Sequence, residues 1–500
     1  MTDKQLEISR RSLLKTGSAL AGSAVLPLAF GARAFAAGVP KPDKLTMLYA
    51  TSEADSDAIK AALPAFKETA GIDIALDTMP YNALQQKAFA ELASESSYYD
   101  IMIVDTPWMP ALTNKILPVT DMILDPQASE GLDIGDFIPK VFYDTAVYKR
   151  ENSALHFKDD AAVDAAKIKA GGFDIYGLPV QSNVLTMAYR KDLFEDPAIT
   201  AAYKAKFGKE LAPPETWDDF AQVAEFMTDP AKRRWGTTLM AGAGDWATDD
   251  FKTLLASFGG DGHLISDTFE PVFNSPEGVK ALTYYAGLIA KKVVPPGTTS
   301  ASWDTAATSF GSGLTAMSMN YHSETLNPTV KGEIAYAMVP KGVAHGPHFG
   351  TWMLSVNSYS KNKDWAFRAI KWFTSRETQT KALAQQLHPT RLSVYEAAAK
   401  DPAITAKFGN FYDVLGKSLQ VGVGRPRLTN YADVDRTVWV AVNNVARGAA
   451  TPEAALKGAA DEVTTLLAQA GYKKSCPRSR LALGRESRRA HARRRRRAGC

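Results

Sequence analysis

The chain has 500 residues, 45% of them hydrophobic and 22% charged, ordinary values for a globular protein long enough to build two lobes of roughly 150 to 200 residues. Its net charge of +4 sums unlike parts: residues 1–36 hold five Lys/Arg against two Asp/Glu, and residues 475–500 hold ten Arg against Glu486, which leaves residues 37–474 at −8. An acidic body argues against nucleic-acid partners, and because the two cysteines are Cys476 and Cys500, the body has no thiol for a disulfide, a thiolate metal site or a cysteine nucleophile.

Residues 1–36 read as an address. Ser9-Arg10-Arg11 leads through Ser12-Leu13-Leu14-Lys15 into an uncharged stretch from Thr16 to Ala32, and Ala34-Phe35-Ala36 follows. This is the pattern of a twin-arginine (Tat) signal peptide, cleaved near Ala36. Glycines, serines and Pro27 interrupt the apolar stretch, which falls short of the roughly 20 residues of a membrane span. A buried N-terminal helix would leave the paired arginines without a reason. The expectation is a soluble protein that meets the Tat export machinery already folded and works in the periplasm.

Lys44 to Ala50 predicts a first strand, and Asp55 to Thr69 carries apolar residues at helical spacing until Gly71. Ile72 to Thr78 follows as a strand, Leu84 to Ala93 as a helix and Asp100 to Val104 as a short buried strand. Strands alternating with helices make parallel βαβ units, whose ligands bind beyond the carboxyl ends of the strands. The loops Thr51 to Asp55 and Asp105 to Trp108 are therefore the ones to watch.

Phe173 to Arg190 reads as two extended pieces joined at Pro179. Thr216 caps a helix, with Asp219 three residues on. Trp235 to Met240 predicts a strand entering a glycine-rich loop that ends in Asp245-Trp246. Gly242 and Gly244 in that loop lack the Lys-Ser/Thr that a phosphate cradle needs. Phe273 to Gly278 caps another helix, Leu314 to Met319 is a short strand, and Trp365 and Trp372 fall at helical spacing with Phe367, Ile370 and Phe373, as core residues do. The arginine-rich tail from Ser475 to Cys500 stands apart, either a foreign extension or a polyanion-binding arm.

In order and spacing, YGLPVQSNVLTMAYRKDLF at 176–194, PPETWDDF at 213–220, FNSPEGVKAL at 273–282, FGSGLTAMSMN at 310–320, GTWMLSVNSYSKNKDWAFRAIKWF at 350–373, HPTR at 388–391 and RPRLTNYADV at 425–434 resemble the family 1 extracellular solute-binding proteins, the sugar-binding components of ATP-binding-cassette (ABC) importers. The resemblance runs from about Lys44 to about Tyr472 and leaves out the tail. It implies an α/β, two-lobed, type II-like periplasmic binding protein fold, with the chain crossing the hinge several times and the ligand cleft between the lobes. Lobe one would comprise 44–181 plus 346–386 and lobe two 184–344 plus 390–472, with Pro179 to Asn183 as the first crossing. It further implies a monomer that delivers a small carbohydrate or polyol to permease subunits in the inner membrane, with no cofactor.

A sugar held in water needs aromatic faces against its C–H side and polar side chains on its hydroxyls. Loops that combine the two are the candidates: Glu53, with Asp55 as a ligand or a helix cap; Asp105 and Trp108; Gln181 and Asn183 at the crossing; Asp245 and Trp246; Asn320 and Tyr321; and Gly350 and Trp352, where Trp352 could equally cover core. Arg391 could bond vicinal hydroxyls or form a surface ion pair. The rival class is a secreted glycoside hydrolase, which needs a carboxylate pair. HExxH, metal-ligand histidine pairs and Gly-x-Ser-x-Gly are absent, since Ser309 to Gly313 lacks the first glycine. A sensor subunit that hands its sugar to a receptor would have the same fold.

Overall fold

The computed structural model describes residues 40–51, 55–159, 161–321 and 330–472. The proposed signal, the basic tail and Glu53 lie outside the described residues.

Strand β1 (Lys44–Ala50) runs into helix α1 (Ser56–Ala70), β2 (Asp73–Met79), α2 (Tyr81–Ala93) and β3 (Ile101–Asp105), as the alternating pattern predicts. The chain later adds β4 (Leu178–Val184), β5 (Thr186–Arg190), α3 (Asp245–Ser257), β6 (Met317–Asn320), β7 (Ile334–Met338), β8 (Phe349–Val356), α4 (Phe411–Val421) and α5 (Tyr431–Ala446). The two larger sheets have the orders β2-β1-β3-β8-β4 and β6-β5-β7, beside a two-stranded pairing of Val147–Tyr148 with Asp174–Ile175. In the first, β1 lies parallel to β2 and β3, while β8 returns from far down the chain, antiparallel to both β3 and β4.

Each of the two larger sheets has its own core, which makes two α/β lobes. Phe66, Ile103, Leu354 and Phe373 belong to the first core, and Trp217, Phe251, Tyr285 and Val438 to the second. Trp365 is buried and Trp372 packs edge-on against Phe66 at 5.3 Å, both within the first core. A third cluster, with Val184, Phe349, Phe411 and Leu415, covers the strands that pass between the sheets. Thr216 caps its helix as predicted, accepting from Asp219 N–H, and Ser275 accepts from Gly278 N–H.

Two expectations are corrected. The extended pieces meet at Leu185, not at Pro179: β4 runs on to Val184, and Leu185 N–H donates to His348 O at 2.9 Å. Pro179 is tolerated because the ladder shifts register between Trp352 and Met353 beside it, at an irregularity where a missing N–H costs little. Gln181-Ser182-Asn183 therefore lie in a strand, where Ser182 Oγ bonds Thr351 Oγ1 at 2.8 Å. Trp235 to Met240 is not a strand either. It makes a single parallel bridge, Trp235 to Thr315, and Gly236 N–H donates to Thr228 Oγ1 instead of to a ladder.

Candidate functional site

Register decides what the first sheet presents. Trp352 pairs with Asp105 on one side and Gln181 on the other, and Gly350 pairs with Asn183. Directly opposed residues of antiparallel strands share a face, so five sequence-selected positions lie on one side of this sheet. Beyond β3 the chain enters a 3-10 turn, Thr106–Ala111, which carries Trp108 inward. Trp108 Nε1–H donates to the Tyr81 hydroxyl at 3.1 Å, and that hydroxyl donates to Asp105 Oδ2 at 2.8 Å. The rings of Tyr81, Trp108 and Trp352 lie 5.3, 5.5 and 5.7 Å apart in tilted and edge-on pairs.

The second lobe answers from the start of α3. Asp245 and Asp249 sit one helical turn apart and so share a face. The ring of Trp246 folds back over Gly244, where a Cβ would fall 2.3 Å from the indole, so this position requires glycine. Trp246 meets Trp303 edge-on at 5.1 Å. Asn320 positions its neighbours: its Nδ2 donates to Trp303 O at 3.1 Å and its Oδ1 accepts from Tyr321 N–H at 2.8 Å. The Tyr321 hydroxyl then donates to Asp249 Oδ2 at 2.8 Å.

Arg425 joins the two sets. Its Nη2 lies 3.8 Å from Asp249 Oδ2, and its Nη1 stands where a Cβ on Gly350 would come within 2.9 Å. Burial opposes its charge, but Asp249 and Asp105 outweigh burial and raise its pKa. Burial likewise pushes Asp105 upward, with Arg425 and Tyr81 pulling against it. Asp249 is held well below the usual carboxylate range: burial would raise it, but His348, Arg425 and Lys252 prevail. His348 Nε2 lies 2.9 Å from Asp249 Oδ1, and Lys252 Nζ approaches His348 Nδ1 at 3.2 Å. Burial lowers His348 to about 4 and Lys252 to about 7, against the pull of Asp249. Burial and the neighbouring Asp249 push Asp245 up to about 6, and burial with Asp245 pushes Asp435, on α5, to about 7.

Other selected residues have structural partners. Arg391 is buried outside this cluster: it donates to Thr374 O at 2.5 Å and Asp133 O at 2.6 Å, reaches Asp136 at 3.3 Å and lies over the Phe137 ring. Gln181 and Asn183 both turn to His388 Nδ1, Gln181 Nε2 at 3.5 Å. Asp55 makes no side-chain cap to α1; its Oδ2 accepts from His388 N–H at 2.7 Å. A separate cavity of about 890 Å³, lined in part by Lys140, Asp144, His156 and His263, adjoins the cluster at Gly424 but includes none of its aromatic residues.

Tyr81, Asp249, Trp303, Arg425 and Asp435 are members the sequence reading did not select. Tyr81 follows β2, so the strand-end rule applied to that strand would have found it. Asp249 lies four residues after Asp245, and Arg425 lies within RPRLTNYADV.

Two lobes that bring aromatic rings and carboxylates to a shared arginine define a two-lobed binding protein. The model of the bacterial extracellular solute-binding proteins matches residues 50–380, and the chain belongs to that family. It is 24% identical over 478 residues to a "probable amino-acid ABC transporter periplasmic-binding protein" of Sinorhizobium fredii, covering 92% of this chain and 100% of that one. Among solved structures it is similar to a solute-binding protein of Agrobacterium radiobacter in complex with ribitol, at TM-score 0.67 and 26% identity, covering 85% of this chain and 100% of the other. The maltose-bound MalE3 of T. maritima shares the fold at TM-score 0.66 and 24% identity, with the same coverages.

Proposed function

We propose that this protein closes its lobes over a small carbohydrate, a monosaccharide or sugar alcohol, and presents the closed form to the permease of an ABC importer. One observation carries the reading: the Tyr81-Trp108-Trp352 group of one lobe and the Trp246-Trp303-Tyr321 group of the other converge with Asp105 and Asp249 on Arg425. Rings offer faces to C–H groups and the charged side chains satisfy hydroxyls. A solute touching both sets stabilises the closed form alone, so its binding drives closure.

The ribitol complex of the Agrobacterium protein supports a polyol-sized ligand. The ligand-binding group we propose comprises Asp105, Trp108, Asp245, Trp246, Tyr321, Gly350, Trp352 and Arg425, with Asn320 positioning its neighbours. The lobes would comprise residues 44–184 plus 346–386 and 186–344 plus 390–472, with Leu185 as the first crossing. Residues 1–36 would direct Tat export to the periplasm, and the work there would be capture without catalysis.

The test is intrinsic tryptophan fluorescence and thermal shift against a panel of neutral sugars and sugar alcohols, ribitol among them. A ligand at 100 times its Kd adds about 2.7 kcal/mol of stability. Wild type should respond to at least one member and Trp246→Ala should lose the response. If no carbohydrate moves either signal in wild type, the reading fails.

A further inference from the structure

Carboxylates outnumber cations in this cleft. Asp105, Asp245, Asp249 and Asp435 all interact electrostatically with Arg425. Against them stand Arg425 and, behind His348, Lys252. Asp249 takes up much of that compensation, because His348, Arg425 and the Tyr321 hydroxyl all address it. Asp105 is left short. It is 4% exposed, its Oδ2 accepts from Tyr81, the Thr106 backbone N–H beside it helps to hold its pKa down, and its Oδ1 meets no donor in good hydrogen-bond geometry among the described residues. A buried carboxylate oxygen without a donor carries its full desolvation cost.

A hydroxyl could supply the donor but not the charge. An ammonium supplies both, adding charge attraction across a buried, poorly screened contact to the hydrogen bond that a hydroxyl would also make, and the rings of Tyr81, Trp108 and Trp352 beside Asp105 suit a cation. Resting on the carbohydrate reading, we infer that the preferred solute carries a protonated amine in place of one hydroxyl, an amino sugar or amino-alditol, with the amine seated against Asp105 and Asp245.

Matched pairs test this on the full chain: 1-amino-1-deoxysorbitol with sorbitol, glucosamine with glucose, galactosamine with galactose, and mannosamine with mannose, by calorimetry and thermal shift. At least one aminated member should bind about tenfold more tightly than its hydroxyl twin, and Asp105→Asn should shrink that ratio to about threefold or less. Acid gives a second readout. Facing Asp245 are Asp249, Asp105, Asp435, Arg425 and the hydroxyls of Tyr81, Tyr321 and Tyr431. With Asp245 at about 6, lowering the pH from about 7 to about 5 neutralises it while the amine only gains protons, so affinity for the aminated solute should fall. If Asp105→Asn does not fold, the wild-type pairs and their pH dependence decide. Hydroxyl twins binding as tightly as their partners throughout would overturn this inference and leave the carbohydrate reading standing. Failure of every member to bind would overturn both.

Discussion

Arg425 lies 3.8 Å from Asp249, and this contact brings the second lobe's buried carboxylate to an arginine that also acts on Asp105 of the first. Removing the arginine strips Asp105 of its cation and leaves Asp249 to His348, Lys252 and the Tyr321 hydroxyl. Breaking a buried pair in this way costs about 3 to 5 kcal/mol. Arg425→Met should therefore lower the unfolding midpoint and weaken the best ligand at least tenfold, about 1.4 kcal/mol. Arg425→Lys should recover little of the affinity, because a point charge does not reproduce the planar fork. Calorimetric titration with chemical denaturation measures both.

Gly350 shares the Arg425 contact. A Cβ there would fall 2.9 Å from Nη1, so Gly350→Ala should displace the guanidinium while leaving the strand paired. We expect weaker binding with a stability loss of only about 1 kcal/mol, within the range of ordinary substitutions. In the Arg425→Met background the same change should be nearly silent, because contacting residues are not additive. Equal losses in both backgrounds would show that Gly350 acts by another route.

Tyr81→Phe deletes the hydroxyl that donates to Asp105 and accepts from Trp108. It leaves a buried carboxylate and a buried indole N–H short of partners, at a cost of about 1 to 3 kcal/mol. Urea unfolding should show a lower midpoint with an unchanged slope.

The acid–base balance of Asp250 predicts a pH signature. Its Oδ2 accepts from Met240 N–H at 2.9 Å and the Tyr285 hydroxyl at 3.0 Å, and burial pushes it up to about 7. A raised carboxylate holds a proton in the folded state that the unfolded chain has released, so its contribution is fully present below the unfolded value near 4 and is lost as pH rises through about 7. His348, lowered to about 4, works in the opposite sense, its contribution being lost as pH falls through that value. The difference between wild type and Asp250→Asn isolates the aspartate. Relative to the variant, wild type should lose roughly 2 to 4 kcal/mol between about pH 4 and pH 7. Parallel thermal-midpoint curves would refute this.

Arg391 should be a stability residue. With its guanidinium buried on Thr374, Asp133 and Asp136, Arg391→Met should cost about 3 to 5 kcal/mol while the folded fraction keeps its ligand affinity. A large change in Kd at constant stability would return Arg391 to the ligand.

Much of the architecture is legible in the chain because it is local. The alternation of β1, α1, β2, α2 and β3 follows from apolar spacing, the caps at Thr216 and Ser275 from side chains bonding three residues away, and the inward turn of Trp365 and Trp372 from helical periodicity. Asp105 and Trp108 stand out because a parallel strand delivers its end to the cleft. Non-local packing decided the rest. Pro179 marks a break by its own chemistry, yet β8 arrives more than 160 residues later with a register shift that accommodates it. Arg391 and Arg425 are both arginines in loops after prolines or glycines, and nothing nearby in sequence separates them. The fold surrounds Arg391 with the carbonyls of Thr374 and Asp133 and places Arg425 between Asp105 and Asp249. Residue type determines what a side chain can bond, but its partners are set by strand order and packing across hundreds of residues.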